Sequence, residues 1–261
     1  MLAQNEKISK NDGEKLEEPS AYRSLIGSLL YLIATRPDLM FPAGFLSRFM
    51  SSPSNVHMGV SKSVLKYVKG TKNLGIWYLK TGGVKLDGYA NSDWPGSVDD
   101  MKSTSSYVFT IGLGVIWWNL RKQEVMAQST AKVEYISLAA NTNQGIWLRK
   151  LLADLGQEQS SPTELYYDNK SVIPIAQNPV QHGKTKHMNV KFHSIREGEK
   201  NSLVKLHYCS TDVQLVDIMT KAPLKSRLEF LRLKLGMSKA NLKEECQNSW
   251  EFASEVWKSL C

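Results

Sequence analysis

The segment from Val84 to Gly96 constrains the fold more than any other stretch of the chain. It reads Val-Lys-Leu-Asp-Gly-Tyr-Ala-Asn-Ser-Asp-Trp-Pro-Gly. Apolar and polar residues alternate up to Tyr89, the period of a half-buried strand. The strand runs into a polar tip, Asn91-Ser92-Asp93, and Trp94-Pro95-Gly96 stops it. A strand that ends in amide and acidic side chains beside a turn offers hard oxygen ligands to a cation at its C-terminal edge. Three later carboxylates, Glu134, Asp168 and Asp217, stand in contexts that bring them to the same edge.

At 261 residues and 42% hydrophobic content, the chain has material for one large domain or two modest ones. Its formal net charge of +8 points to an acidic partner, with nucleic acid first; the plainer alternative is a lysine-rich solvated surface. Cys209, Cys246 and Cys261 lie far apart without a CxxC pair. That argues against a disulfide scaffold or a zinc site and for a reducing compartment, cytoplasm or nucleus. Gln4 to Glu18 is polar and charged, so neither a signal peptide nor secretion is expected. The apolar run Leu25 to Ala34 is far short of the roughly 18 residues a membrane span takes, so no membrane partner is expected.

Four regions follow along the chain. Residues 1–19 are rich in Lys, Glu, Asn and Gly without periodicity, the composition of a flexible lead-in. Residues 20–80 form a small helical unit. Ser20 is the expected N-cap of a first helix, and Arg36-Pro37-Asp38 breaks it. A second helix is expected over Leu39–Met50 and a third over Val56–Lys69, with Gly70 as its stop. From Leu74 to Leu79 a strand pattern begins.

Residues 81–237 turn first to strands. Ser105–Ile111 and Gly114–Leu120 form a hairpin joined by Gly112-Leu113. A long helix over Thr130–Leu155 carries the apolar stripe Val133, Ile136, Ala140, Trp147, Leu148, Leu151 and Leu155, read as core. A strand at Leu165–Asp168, a helix to Gln177, a helix over Lys186–Lys200 and a strand at Leu203–Tyr208 come next. Thr211-Asp212-Val213-Gln214 has the pattern of a capping box opening a helix through Met219, and Leu224–Leu235 closes at Gly236. Residues 238–261 read as an amphipathic extension through Leu242, Trp250, Phe252, Val256 and Leu260. The result is an α/β fold, a mixed sheet flanked by helices and preceded by a small helical unit. That order is the layout of the ribonuclease H fold.

The motifs Tyr22-Arg23-Ser24-Leu25-Ile26-Gly27-Ser28-Leu29-Leu30-Tyr31-Leu32, Thr35-Arg36-Pro37-Asp38, Leu46-Ser47-Arg48-Phe49-Met50 and Lys69-Gly70-Thr71 come first. They are followed by Lys102-Ser103-Thr104-Ser105, Ile146-Trp147-Leu148-Arg149, Asp168-Asn169-Lys170-Ser171, Lys186-His187 and Asp217-Ile218-Met219-Thr220-Lys221. In this order they resemble the C-terminal part of a plant copia-type retrotransposon Pol polyprotein over residues 1 to about 237. The resemblance implies a reverse-transcriptase thumb and connection remnant followed by a ribonuclease H domain. The polymerase palm, with its Tyr-x-Asp-Asp motif, is missing, and Asp99-Asp100 does not supply it.

That family hydrolyses RNA paired with DNA, using two Mg²⁺ ions about 3.5–4 Å apart, with Mn²⁺ as an alternative. Its pattern at the first strand is Gly-Tyr-Ser-Asp-Ala-Asp-Trp; here it is Gly88-Tyr89-Ala90-Asn91-Ser92-Asp93-Trp94. Asn91 thus replaces the acid that bridges both ions. An amide is neutral and offers one acceptor atom where a carboxylate offers two. Asp93 faces the same side but lies about 6–7 Å along the strand, so it substitutes only through a local bend. Glu134, Asp168 and Asp217 match the other three acids, although Asp168 also suits a helix N-cap. Lys132 stands where the family has glutamate and Pro174 where it has a helix former. His187 and His193 match family histidines and serve either structure or proton transfer. The implied partners are RNA–DNA hybrid or RNA and the rest of a reverse transcriptase. Two readings stand: an endonuclease impaired by Asn91, or a binding module or decayed transposon fragment without activity.

Overall fold

The computed structural model describes residues 8–78, 84–93, 103–122, 130–169 and 194–239, and at Asp93 and residues 130–135 the backbone alone. Pro174, His187, His193, Asp99-Asp100, the turn Thr81-Gly82-Gly83, residues 170–177 of the helix expected after Asp168 and the extension beyond Lys239 lie outside the described residues, as does the side chain of Lys132.

The helical unit contains α1 (Ser20–Leu32), α2 (Met40–Ser47) and α3 (Asn55–Gly70). Their apolar faces meet in one cluster in which Tyr22, Ile26, Leu29, Leu46 and Phe49 are almost wholly buried. Tyr22 brings a hydroxyl into that cluster and satisfies it on the Leu46 carbonyl at 2.8 Å. Ser20 is the first helical residue and not the cap, because Pro19 takes the cap position and no side chain bonds the free amides. The better cap is on α3, where Ser54 and His57 exchange hydrogen bonds in a capping box. Gly70 is the last helical residue, one place inside its expected role. Residues 8–16, within the expected lead-in, lie along α3: Ile8 is buried, and Leu16 N donates to Pro53 O at 3.0 Å.

Arg36-Pro37-Asp38 does more than break a helix. Pro37–Leu39 forms a 3-10 turn that buries Arg36 and Asp38 in a two-pronged ion pair of 2.8 and 2.7 Å. Arg36 also donates to Thr71 Oγ1 at 2.8 Å, so the pair joins the start of α2 to the end of α3.

The main sheet has β2 (Leu86–Asp93), β3 (Thr104–Ile111), β4 (Gly114–Lys122), β5 (Thr163–Tyr167) and β6 (Val204–Tyr208), ordered β4-β3-β2-β5-β6. The first three are antiparallel; β5 and β6 continue parallel to β2. This is the expected mixed ribonuclease H-like sheet. The long helix α4 (Thr130–Asp154) covers one face, packing on β2 and β3. Residues 194–200 form α5, whose Ile195 joins the same core.

The opposite face is covered by the helical unit, by a helical turn α6 (Asp217–Thr220) and by α7 (Lys225–Lys234). Trp118 on β4 ties the two parts by donating its indole N–H to Ile33 O at 2.8 Å. A short strand, β1 (Leu74–Ile76), pairs antiparallel with β7 (Met237–Lys239) in a second sheet. Gly236 turns the chain into β7 with φ +76°; a Cβ there would sit 2.7 Å from Leu113 O.

Two expected features are corrected. The apolar stripe of α4 is only in part its buried face: its Leu148 is buried, but Trp147, Leu151 and Leu155 are exposed, while Leu138, Ala139, Asn141, Thr142 and Leu152, outside the stripe, are buried. The helix presses onto the sheet at Gly145, where an added Cβ would lie 3.2 Å from Phe109. On this buried side Asn141 donates from its amide nitrogen to the Tyr167 hydroxyl at 2.7 Å. The second correction is at residues 211–219. Thr211–Val213 is a 3-10 turn without a side-chain cap, and Gln214 is extended and buried, so no capping box forms.

Candidate functional site

The site grows from the point where β2 and β5 part. Their parallel pairing ends at Tyr89 and Tyr166. Carrying the register two residues further sets Asn91 level with Asp168, each just past the last rung. Parallel strands that splay at their C-terminal ends leave a crevice, the usual ligand position in open α/β sheets. This one is lined by Ala90, Asn91, Ser92, Ser137, Tyr167, Asp168 and Asn169 and encloses about 210 Å³, partly open to solvent.

Beyond the last rung, β2 carbonyls need other donors. Gln214 Nε2 donates to Ala90 O at 3.0 Å, and Ser137 Oγ to Asn91 O at 3.3 Å. The same Gln214 whose cap role fails therefore docks the 211–217 segment on the strand end. That docking delivers Asp217, whose side chain is only 3% exposed. Asn91 Nδ2 donates to Asp217 Oδ1 at 3.1 Å. Lys221 Nζ lies 2.9 Å from Asp217 Oδ2, and Arg227 Nη2 lies 3.7 Å from it.

Asp168 is half-buried on the crevice wall. Burial raises its pKa above the ordinary carboxylate value; the charge of Asp217 adds to the rise, and a backbone hydrogen bond and Lys221 oppose it. Cys209, on the next strand end, is bound to β5 by its N–H to Tyr167 O at 2.7 Å. Burial, then Asp168 and Asp217, push its thiol up to about 11.

Asn91, Asp168 and Asp217 are thus gathered at one sheet edge. Glu134 lies on α4 one turn before Ser137, so its backbone position is on the site's side of the helix. Its carboxylate is outside the described residues. Asp93 continues β2 opposite Thr104 with unbroken register, so the backbone bend that would carry it to Asn91's place is absent from the strand. Gln214, Ser137, Lys221 and Cys209 were not read as site residues from the sequence. Only Lys221 left a signal there, four residues after Asp217, the spacing of an ion pair on a helical turn.

A pair of Mg²⁺ ions needs several carboxylate oxygens free to converge. Here one oxygen of Asp217 accepts from the Asn91 amide, and the other is paired with an ammonium. Among the described residues no group of three His, Cys, Asp or Glu stands close enough to hold a metal. Among the described residues, the arrangement does not fit a two-ion centre.

The chain is 34% identical over 238 residues, 91% of its length, to the retrovirus-related Pol polyprotein from transposon RE1 of Arabidopsis thaliana. To the corresponding polyprotein from transposon TNT 1-94 of Nicotiana tabacum it is 33% identical over 217 residues, 83% of its length. The chain belongs to the retrovirus-related Pol polyproteins of copia-type transposons. This Pol segment spans about 16% of the length of those relatives. No family model matches it. Among solved structures it is similar to ribonuclease H1 from the archaeon Halobacterium salinarum. That likeness has a TM-score of 0.35 and 14% identity over 50% of this chain and 89% of the other.

The edge of the Pol segment that carries the site is also basic. Arg48, at the end of α2, donates to Thr104 Oγ1 at 3.4 Å, and Thr104 is paired with Lys122 across β3 and β4. Among the described residues no helix is long and apolar enough to cross a membrane.

Proposed function

We propose that this Pol segment is a ribonuclease H-type module that binds RNA–DNA hybrid and whose cleavage centre is impaired at Asn91. The observation that carries the reading is the amide of Asn91 donating to Asp217. The family's reaction is two-metal hydrolysis of the RNA strand, with Mg²⁺ held by converging acids; this chain offers Asp168, Asp217 and, on its helix, Glu134, with an amide in the bridging place. Loss of a bridging ligand removes much of the electrostatic stabilisation such a reaction draws on.

Binding is supported by the net charge of +8 and by Arg48 and Lys122 at the sheet edge. The rest of a reverse transcriptase is the partner we propose, in keeping with the Pol polyproteins to which the chain is similar. The deciding experiment pairs hybrid-binding anisotropy with a cleavage assay in Mg²⁺ and in Mn²⁺. Binding with little or no cleavage supports the proposal. Rapid cleavage by the unmodified chain contradicts the impairment, and absence of binding at low salt leaves a decayed fragment.

A further inference from the structure

The misfit between this site and a metal centre has a positive structural content. A carboxylate as buried as that of Asp217 is costly unless donors and a positive charge compensate it. Asp217 finds both within its own chain. Asn91 supplies a donor to Oδ1 at 3.1 Å; Lys221 supplies a cation to Oδ2 at 2.9 Å, with Arg227 behind it at 3.7 Å. One residue earlier on β2, Ala90 O is bonded by Gln214. Residues 214–217 are therefore clasped to the strand end by two neighbouring hydrogen bonds, and Lys221 closes an ion pair within the same segment.

We infer that Asn91 and Lys221 together balance the buried charge of Asp217, so that this fold stands without divalent ions and gains no stability from them. An Asp at position 91 would bring a second carboxylate to within about 3 Å of the first, and like charges at that separation do not both ionise without a cation between them. Asparagine has nearly the same volume and turns that repulsion into a hydrogen bond. The substitution that removes a metal ligand thus also supplies an internal replacement for what the metal would stabilise. This inference rests on residues 91, 168 and 217 forming the site, and not on whether the chain binds nucleic acid.

The test is thermal unfolding of the whole chain at matched ionic strength, in EDTA and in millimolar Mg²⁺ or Mn²⁺. The expected result is a midpoint for the unmodified protein that is the same in all three. Asn91→Asp should unfold several degrees lower in EDTA and recover saturably with either metal. Asn91→Ala, which loses the donor without adding charge, should unfold lower with no metal response. Lys221→Met should lower the midpoint in EDTA, since it removes the ammonium and keeps the stem. If Asn91→Asp does not fold in EDTA, refolding on addition of Mg²⁺ is the same outcome in stronger form. Saturable stabilisation of the unmodified protein by Mg²⁺, or an Asn91→Asp variant equally stable in EDTA, overturns the inference. Mn²⁺ titration calorimetry gives a second readout, with heat of binding expected only for Asn91→Asp. Hybrid anisotropy on the same samples separates this outcome from failure of the binding proposal.

Discussion

Asn91 and Asp217 lie far apart in sequence and meet at 3.1 Å, amide nitrogen to carboxylate oxygen, where the first strand of the main sheet leaves its parallel neighbour. The contact makes Asn91 a donor to a buried carboxylate. It is also a measurable part of stability. Leaving a buried acceptor without its donor costs about 1–3 kcal/mol. Asn91→Ala should lose stability in that range by urea unfolding, with the m-value unchanged.

The buried pair Arg36–Asp38 predicts a larger loss. Removing one partner strands the other charge in the helical unit, a change that typically costs about 3–5 kcal/mol. Arg36→Met should lower the urea midpoint accordingly. The double change Arg36→Met, Asp38→Leu should recover much of the loss, because it removes the stranded charge as well. A single variant as stable as the parent would show that the Tyr67 hydroxyl, which already donates to Asp38 at 2.5 Å, is compensation enough.

How far these features were legible in the sequence differs by element. The strands of the main sheet and the hairpin at Gly112-Leu113 were legible because period-two alternation and turn residues report directly on a half-buried strand. The face of α4 was not. Its buried side includes Asn141 and Thr142, while Trp147 and Leu151 face outward, so counting apolar residues selected a stripe that is only in part buried. Close approach at Gly145 and a hydrogen bond to Tyr167 decide that face, and both are tertiary facts. Gln214 misled for a related reason. Its spacing from Thr211 matches a cap, but the free carbonyl of Ala90 offers a buried partner that no local pattern announces. Asp168 and Asp217, which the family motifs single out, stand at the same sheet edge as Asn91. The ion pair that engages Asp217 was not legible, because the motif names Lys221 without saying what it touches.

Cys209 gives a prediction that depends on pH. Its thiol is held near 11 by burial and by the neighbouring acids. At pH 8 the thiolate fraction should be about a hundredfold below that of a thiol with a pKa of about 9, since each pKa unit is a factor of ten. Peptide-resolved iodoacetamide labelling of the folded protein should therefore be slow at Cys209 at pH 8 and rise steeply as the pH approaches 11. Denaturant should restore the ordinary rate. Fast labelling of the folded protein at pH 8 would place Cys209 outside the buried edge.

Hybrid binding should weaken with salt as counterions are released, giving a straight line of log affinity against log salt concentration. Lys122→Ala should shallow that slope by about 0.9, the contribution of one phosphate contact on a duplex. Arg48→Ala should act in the same direction, with some loss of stability from its bond to Thr104. A slope unchanged in both variants would move the binding surface away from this edge.

Cleavage of an RNA–DNA hybrid by the unmodified chain and by Asn91→Asp, side by side in Mg²⁺, tests the central claim most directly. The variant restores charge and a second oxygen at nearly constant volume, so it should cut far faster than the parent and faster than Lys132→Glu. The gain should vanish when Asp168→Asn or Glu134→Gln is added, because residues that act as one unit fail together. An unmodified chain that already cuts as fast as Asn91→Asp would contradict the account.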